Sequence, residues 1–339
     1  SKLSFVYGLD ISKDNIENRI DGACARFLHE KQKRKTIPDV MFLQANSSMN
    51  IRDGSAFYNE KDRLISKTIF GDIPKKESLG KGVLKHYGKV HTGFDIASCQ
   101  FALHYFFQNK KTLSNFMKNL TESVKIGGYF IGTCYDGNKI FNDLISRKDM
   151  SIMKNSRKIW QITKGYSQEA FNDDETSLGY PIDVYQETIN KTIREYLVNF
   201  NYLIRIMENY GFRPVTDEEA KGLRLPSGIG NFKLLFDKLI EDKKRNPSIE
   251  KFIGKALKMS IEEKKISYYN NYFVFVKIAN PEFSVEDELN PQNIENPPTI
   301  QEKSKPPTTE LTFRIGEPEK KTVAKKKGRK IKLVKKEST

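Results

Sequence analysis

Gln100, His104 and Tyr105 follow directly on the apolar run Phe94–Cys99. An amide, an imidazole and a phenol at that spacing could grip a flat ligand by hydrogen bonds and by stacking. A positively charged purine would suit the two rings best, because cations stack well on electron-rich aromatics. The alternative is a turn whose aromatics simply pack. Asp10 closes Gly8-Leu9-Asp10-Ile11-Ser12, where a carboxylate can accept both hydroxyls of a ribose or can cap a turn. Asn46-Ser47 ends the second apolar run, and reads either as an acceptor for an adenine amino group or as an Asx turn. Glu195, in Arg194-Glu195-Tyr196-Leu197-Val198, matches the N1–H and 2-amino group of guanine, or pairs with Arg194 in solvent. Tyr272 opens Tyr272-Phe273-Val274-Phe275 and reads on pattern alone as packing.

These residues need a frame to hold them. Leu3–Leu9 reads as a buried strand, and Ser12 then caps a helix over Lys13–Lys33, with Ile16, Ile20, Ala23, Phe27 and Leu28 on its apolar face. Val40–Ala45 is a second strand, Glu60–Phe70 a helix, and Gly71–Gly93 a Gly/Lys-rich loop. Within it Gly80-Lys81-Gly82 is too short for a phosphate loop. Lys75, Lys76, Lys81, Lys85 and Lys89 either track a phosphate chain or face solvent. Strand three, Phe94–Cys99, precedes a helix at Lys111–Val124. Strand four, Tyr129–Cys134, precedes a short helix at Asn138–Ile145. Such β-α-β-α alternation with apolar strands predicts a mostly parallel, doubly wound sheet buried on both faces. Strand-like pieces follow at Trp160–Thr163 and Ile182–Ile189, then helices at Phe200–Tyr210 and Phe232–Asp242. Tyr269–Ile278 alternates as an antiparallel edge strand.

Residues 279–339 are rich in Pro, Glu, Ser and Thr and are expected to be a disordered tail. The tail ends in a basic run, Lys320–Lys336, with ten Lys/Arg. It reads as a nuclear-import signal, an RNA tether or solubilising charge. The tail carries 13 Lys/Arg against 10 Asp/Glu, so +12 of the chain's +15 falls on residues 1–278. A surplus of that size attracts phosphate-rich partners. Cys24, Cys99 and Cys134 are far apart and the four histidines are dispersed, which points away from structural zinc and from a disulfide framework. No apolar run has the length of a membrane span. The chain starts at Ser1 and enters a strand almost at once, as expected of a chain cut from something longer.

Six blocks in order carry a resemblance. They are Tyr7–Ser12, Asn46–Ser48, Ser98-Cys99-Gln100-Phe101-Ala102-Leu103-His104-Tyr105, Gly127–Thr133, Glu195–Val198 and Tyr272–Phe275. Together they resemble the mRNA cap (guanine-N7) methyltransferases, especially the capping enzymes of large DNA viruses. The Ser98–Tyr105 block is the specific one. The resemblance implies an α/β, Rossmann-like class I fold, dependent on S-adenosylmethionine (SAM). Its sheet would be mostly parallel with an antiparallel edge strand. The first central strand, with its Gly-rich loop, is missing from this chain between the Leu3–Leu9 and Phe94–Cys99 strands. The methyltransferase domain would cover residues 1–278, with cap-binding insertions over about 150–265.

By the same resemblance SAM would be held by Asp10, Ile11, Asn46, Ser47, Gln100 and Tyr105; position 46 is usually Asp in the family. The cap guanine would be held by His104, Tyr105, Glu195 and Tyr272. No catalytic base and no metal are implied. The expected partners are the capped 5′ end of RNA, with triphosphatase and guanylyltransferase domains upstream in the same polypeptide, and no membrane. The expected place is intracellular: nucleus, cytoplasmic viral factory or virion. Two other readings stand beside it: a cap- or RNA-binding module that has lost SAM use, and a SAM-dependent enzyme for another substrate.

Overall fold

A computed structural model describes residues 3–34 and 36–281 of the chain. The expected disordered tail from residue 282 on, with its basic run, lies outside the described residues. The first strand, β1 (Phe5–Asp10), pairs in parallel with β2 (Asp39–Gln44), so that Asp10 stands opposite Gln44. Between them the single predicted helix is two, α1 (Lys13–Glu17) and α2 (Ala23–Lys33). The break is local chemistry: Asn18 leaves helical backbone angles and its Oδ1 accepts the N–H of Ile20 at 2.9 Å. Ile20, expected on the apolar face, is therefore 91% exposed.

Helix α3 (Glu60–Phe70) packs Ile65, Ile69 and Phe70 against β1 and β2. The Gly/Lys-rich loop that follows contains a 3-10 turn at Glu77–Leu79 and one short α-helix, α4 (Lys81–Leu84). Three of the loop's lysines are engaged by the fold. Lys85 pairs with Asp39 at 2.9 Å, Lys89 lies over Phe5 and Lys75 over Tyr87.

Strand β3 (Phe94–Gln100) leads into α5 (Lys110–Ser123), which opens with a capping box between Asn109 and Thr112. β4 (Val124–Tyr135) runs parallel to β3 and is followed by α6 (Gly137–Asp143). Four strands then form their own antiparallel meander: β5 (Asp149–Lys154), β6 (Arg157–Lys164), β7 (Pro181–Gln186) and β8 (Lys191–Tyr196). After α7 (Phe200–Asn209), β9 (Phe212–Pro214), α8 (Asp217–Gly222) and β10 (Ile229–Asn231) come α9 (Phe232–Arg245), α10 (Glu250–Ile253) and α11 (Ile261–Ser267). The last strand, β11 (Asn270–Lys277), is antiparallel to β4 as expected. It is interior rather than an edge, because β9 and β10 both pair with its outer side.

The result is a mixed α/β sheet in two pieces, β1-β2 and β10-β11-β4-β3. Among the described residues no strand pairs with β3 on its side toward β1, the place where the sequence implied a missing strand. Rings bridge that interval, Tyr7 stacking on Phe94 at 5.8 Å. One face of β3 departs from expectation. β3 was expected to be buried on both faces, yet Phe94, Ala97 and Cys99 pack inward while Ile96, Ser98 and Gln100 are exposed. The main core lies between this sheet and helices α5 and α7. Gly132 of β4 is needed there, because a Cβ would run into the Phe273 ring and the Cys99 carbonyl.

Candidate functional site

At its carboxyl end β3 turns sharply. Phe101 takes a left-handed φ of 52°, unusual for a bulky residue, while its N–H still donates to Thr133 O at 2.8 Å. The short 3-10 helix Leu103–Gln108 then faces Leu103, His104 and Phe107 inward and leaves Phe101 and Tyr105 at the surface. Leu103 and Phe107 are fully buried and anchor the turn, so His104 is carried into the interior by its neighbours' packing.

Glu195 reaches the same place from β8 by strand alternation. Arg194 points to the opposite face and forms a two-point contact with Asp183 of β7, at 2.9 and 2.8 Å. The solvated Arg194–Glu195 pair is thus not formed. Glu195 sits across from buried Ile182 and comes within 3.5 Å of His104, Oε2 to Nδ1. This is not an ion pair. Burial pushes His104 down to about 3 and pushes Glu195 up to about 7, so each is driven toward its neutral form. Both ring nitrogens of His104 and Oε2 of Glu195 lack a hydrogen-bond partner. Leaving a buried polar atom unpaired costs about 1–3 kcal/mol, so three such atoms on two adjoining side chains make this pair a candidate binding site.

Tyr105 stands at the surface beside this pair, its ring edge-on to His104 with centroids 4.2 Å apart. Burial, then the charges of Glu195 and Asp10, raise its hydroxyl's pKa. Tyr105 therefore lies within electrostatic reach of both the β1 end and the β8 end.

A second group follows one register row across the sheet. Gln100 of β3 stands beside Thr133 of β4, Thr133 beside Tyr272 of β11, and Tyr272 beside Gly230 of β10. Gln100 accepts from Thr133 Oγ1 and donates to Ser98 Oγ, both at 3.0 Å. Tyr272 is buried, and its hydroxyl bonds with Ser227 Oγ at 2.8 Å and takes the Ser227 N–H at 3.2 Å. Gly230 lets the ring lie close, since a Cβ there would meet Tyr272 at 2.9 Å. Tyr272 thus belongs to the Gln100 row, and no hydrogen bond or ring contact joins it to His104, Tyr105 or Glu195.

At the end of β1, Asp10 Oδ1 accepts from the N–H of Ser12 at 2.8 Å, and both its oxygens from Asn15 Nδ2 at 3.2 Å. The neighbouring carbonyl of Ile11 is held by Gln44 Nε2 at 3.0 Å. Asn46 does form the Asx turn, accepting from Ser48 N–H at 2.9 Å, and the Ser47 carbonyl accepts from Asn119 of α5 at 2.9 Å. Four residues that sequence reasoning passed over hold the candidates in place: Gln44, Asn119, Thr133 and Ser227. Gln44 had a signal, since it ends β2 opposite Asp10, and so had Thr133, which lies in an apolar strand two residues from its end. Asn119 and Ser227 had none, because their partners are distant in sequence. Among the described residues no group of three His, Cys, Asp or Glu is placed to hold a metal.

Residues 17–276 match the family described as the mRNA (guanine-N(7))-methyltransferase domain. A protein of Acanthamoeba polyphaga mimivirus, named "Probable mRNA-capping enzyme", is 28% identical over 204 residues, which is 58% of this chain and 16% of that protein. The mRNA cap guanine-N(7) methyltransferase of Saccharomyces cerevisiae is 26% identical over 221 residues, 63% of this chain and 47% of that protein. The chain therefore spans less than half the length of either relative. A solved S-adenosylmethionine dependent methyltransferase from Mesorhizobium loti superposes with a TM-score of 0.34 at 10% identity, covering 81% of each chain. Nothing about function follows from so loose a superposition.

Proposed function

We propose that this chain, which belongs to the mRNA (guanine-N(7))-methyltransferase family, transfers a methyl group from S-adenosylmethionine to N7 of the guanine in a GpppN RNA cap. One observation carries the reading: the buried, unpartnered His104–Glu195 pair with Tyr105 beside it at the surface. Glu195, ionised, accepts the N1–H and 2-amino group of guanine. His104, held neutral by burial, has one N–H to donate and one nitrogen to accept. Tyr105 stacks on the ring and favours the cationic product.

The residues at the strand ends fit SAM. Asp10 keeps acceptor capacity beyond its bonds to Ser12 and Asn15, which suits the ribose hydroxyls. Asn46 has one free lone pair beyond its turn bond for the adenine amino group, with Ser47 and Ile11 alongside. Gln100, fixed by Thr133 and Ser98, is set for the methionine end. Tyr272, in that same row, borders the cap side rather than touching the His104–Glu195 pair. SAM supplies a methyl group already activated on a sulfonium. Guanine N7 carries a lone pair and no proton, so the chain's own residues need only align and shield the two ligands, without a general base.

The capped RNA 5′ end is the proposed substrate, and the mimivirus relative favours attached capping domains upstream as partners. The test is transfer from labelled SAM to GpppA with the position of methylation read after nuclease digestion. Label at N7, lost in Glu195→Ala with SAM binding retained, is the expected result. Label on N2 or on a ribose oxygen sinks the proposal.

A further inference from the structure

The helical segment between β10 and β11 lies at the surface. Helices α9, α10 and α11 contain no buried residue. Between Phe232 and Ser267 the chain has ten Lys/Arg and six Asp/Glu. The acids are largely matched within reach: Lys233–Asp237, Lys238–Asp242, Arg245–Glu241, Lys243–Glu250, and Glu263 with Lys154 of β5. The surplus collects where α10 meets the turn after it. Lys255 and Lys258 have no ion-pair partner among the described residues, and Lys251 lies over the Phe252 ring at 5.0 Å. Phe252 is itself 79% exposed.

We propose that Lys251, Phe252, Lys255 and Lys258 form a docking surface for the single-stranded RNA that runs 3′ from the cap. The inference rests on the cap-methyltransferase reading for its capped substrate. Charge complementarity selects the occupant: unmatched lysines suit phosphates, and a bare aromatic among them offers a face on which any base stacks. A protein partner fits less well, since protein interfaces are depleted in Lys. The position is right as well. α9 begins with the Phe232 ring 6.1 Å from Phe101, at the rim of the pocket. Its 14 residues extend about 21 Å, and the Lys243–Glu250 pair keeps α10 at the far end. An RNA of several nucleotides reaches the surface, whereas a cap dinucleotide does not.

The test compares the full chain with Lys251→Ala/Lys255→Ala/Lys258→Ala and with Phe252→Ala. Two readouts are used: methylation of GpppG against a capped RNA of about 20 nucleotides, and fluorescence-anisotropy binding of the same RNA uncapped. The triple variant is expected to raise KM for the capped RNA about tenfold, leave KM for GpppG unchanged, and lower the log–log salt slope of RNA binding by about 2, as three lost phosphate contacts require. Phe252→Ala is expected to weaken RNA binding several-fold at every salt concentration without changing that slope. Unchanged RNA binding and KM in both variants overturns the proposal, as does an equal rise in KM for GpppG and RNA. If the parent chain methylates neither substrate, the cap-methyltransferase reading fails, while the binding readout still decides the docking surface.

Discussion

Glu195→Gln should stabilise the protein and disable it together, and the size of the stabilisation should depend on pH. Burial raises the Glu195 carboxyl from its usual 4.5 to about 7. For a carboxylate raised on folding, the penalty is absent below the unfolded value and complete above the folded one. Stability is therefore lost as pH climbs from about 4.5 through about 7. At about 1.4 kcal/mol per pH unit, that interval amounts to about 3 kcal/mol with Glu195 ionised, and to under about 1 kcal/mol at pH 5. Gln keeps the shape and cannot ionise, so the gap in unfolding free energy between variant and parent should widen by about 2–3 kcal/mol from pH 5 to pH 8. The other titrating group facing Glu195 is His104, held down to about 3, whose own penalty grows below about 6.5. It is present in both proteins and drops out of the difference to first order, and Tyr105 and Asp10 are likewise shared. Urea titrations at several pH values measure the gap. Meanwhile the amide can accept only one of guanine's two donors, and KM for GpppA should rise about 100-fold, the loss of one charged hydrogen bond of about 3 kcal/mol. A gap that stays flat within about 0.5 kcal/mol across this range would mean that Glu195 is not held neutral by burial, and the account of the pocket would fall with it.

For the parent, KM for GpppA should fall as pH rises through about 7, with Glu195 becoming the acceptor that guanine needs; in Glu195→Gln that dependence should be gone. Thr133→Val removes the 3.0 Å bond that fixes Gln100, and should raise KM for SAM a few-fold while leaving KM for the cap nearly unchanged, in steady-state assays varying each substrate. Ser227→Ala removes one of the buried Tyr272 hydroxyl's partners at 2.8 Å while the Ser227 backbone bonds remain, and should lower unfolding free energy by about 1 kcal/mol in urea melts. The same change made on a Tyr272→Phe background should cost much less, because the pair acts as a unit.

What the sequence disclosed and withheld follows from how local each signal is. The strands β1 to β4, and the helices α3 and α5 between them, are written in runs of apolar residues and in caps such as Asn109 with Thr112. Helix α1–α2 misled because a period of apolar residues continues through Asn18 while one side-chain bond, Asn18 to Ile20, ends the helix. β5, β8, β9 and β10 were not legible. They are short or mixed in polarity, and what makes them strands is pairing with distant partners. Lys191–Tyr196 has no clean alternation, yet against β7 it places Ile193 and Glu195 on one face and Arg194 on the other.

Register is what turns Glu195 from a surface residue into a pocket residue. In sequence, Arg194 beside Glu195 invites an ion pair of neighbours. A strand sends adjacent side chains to opposite faces, so the pair is geometrically excluded once β8 forms. Asp183, directly across on β7, then captures Arg194 from outside, and nothing on the inside answers Glu195 except a histidine that burial keeps neutral. A carboxyl so placed raises the energy of the folded state at neutral pH. The same desolvation strengthens any bond it makes to a ligand that brings its own donors into the pocket. The energy that the pocket withholds from folding is then available for binding, which is why removing Glu195's charge should help one and harm the other.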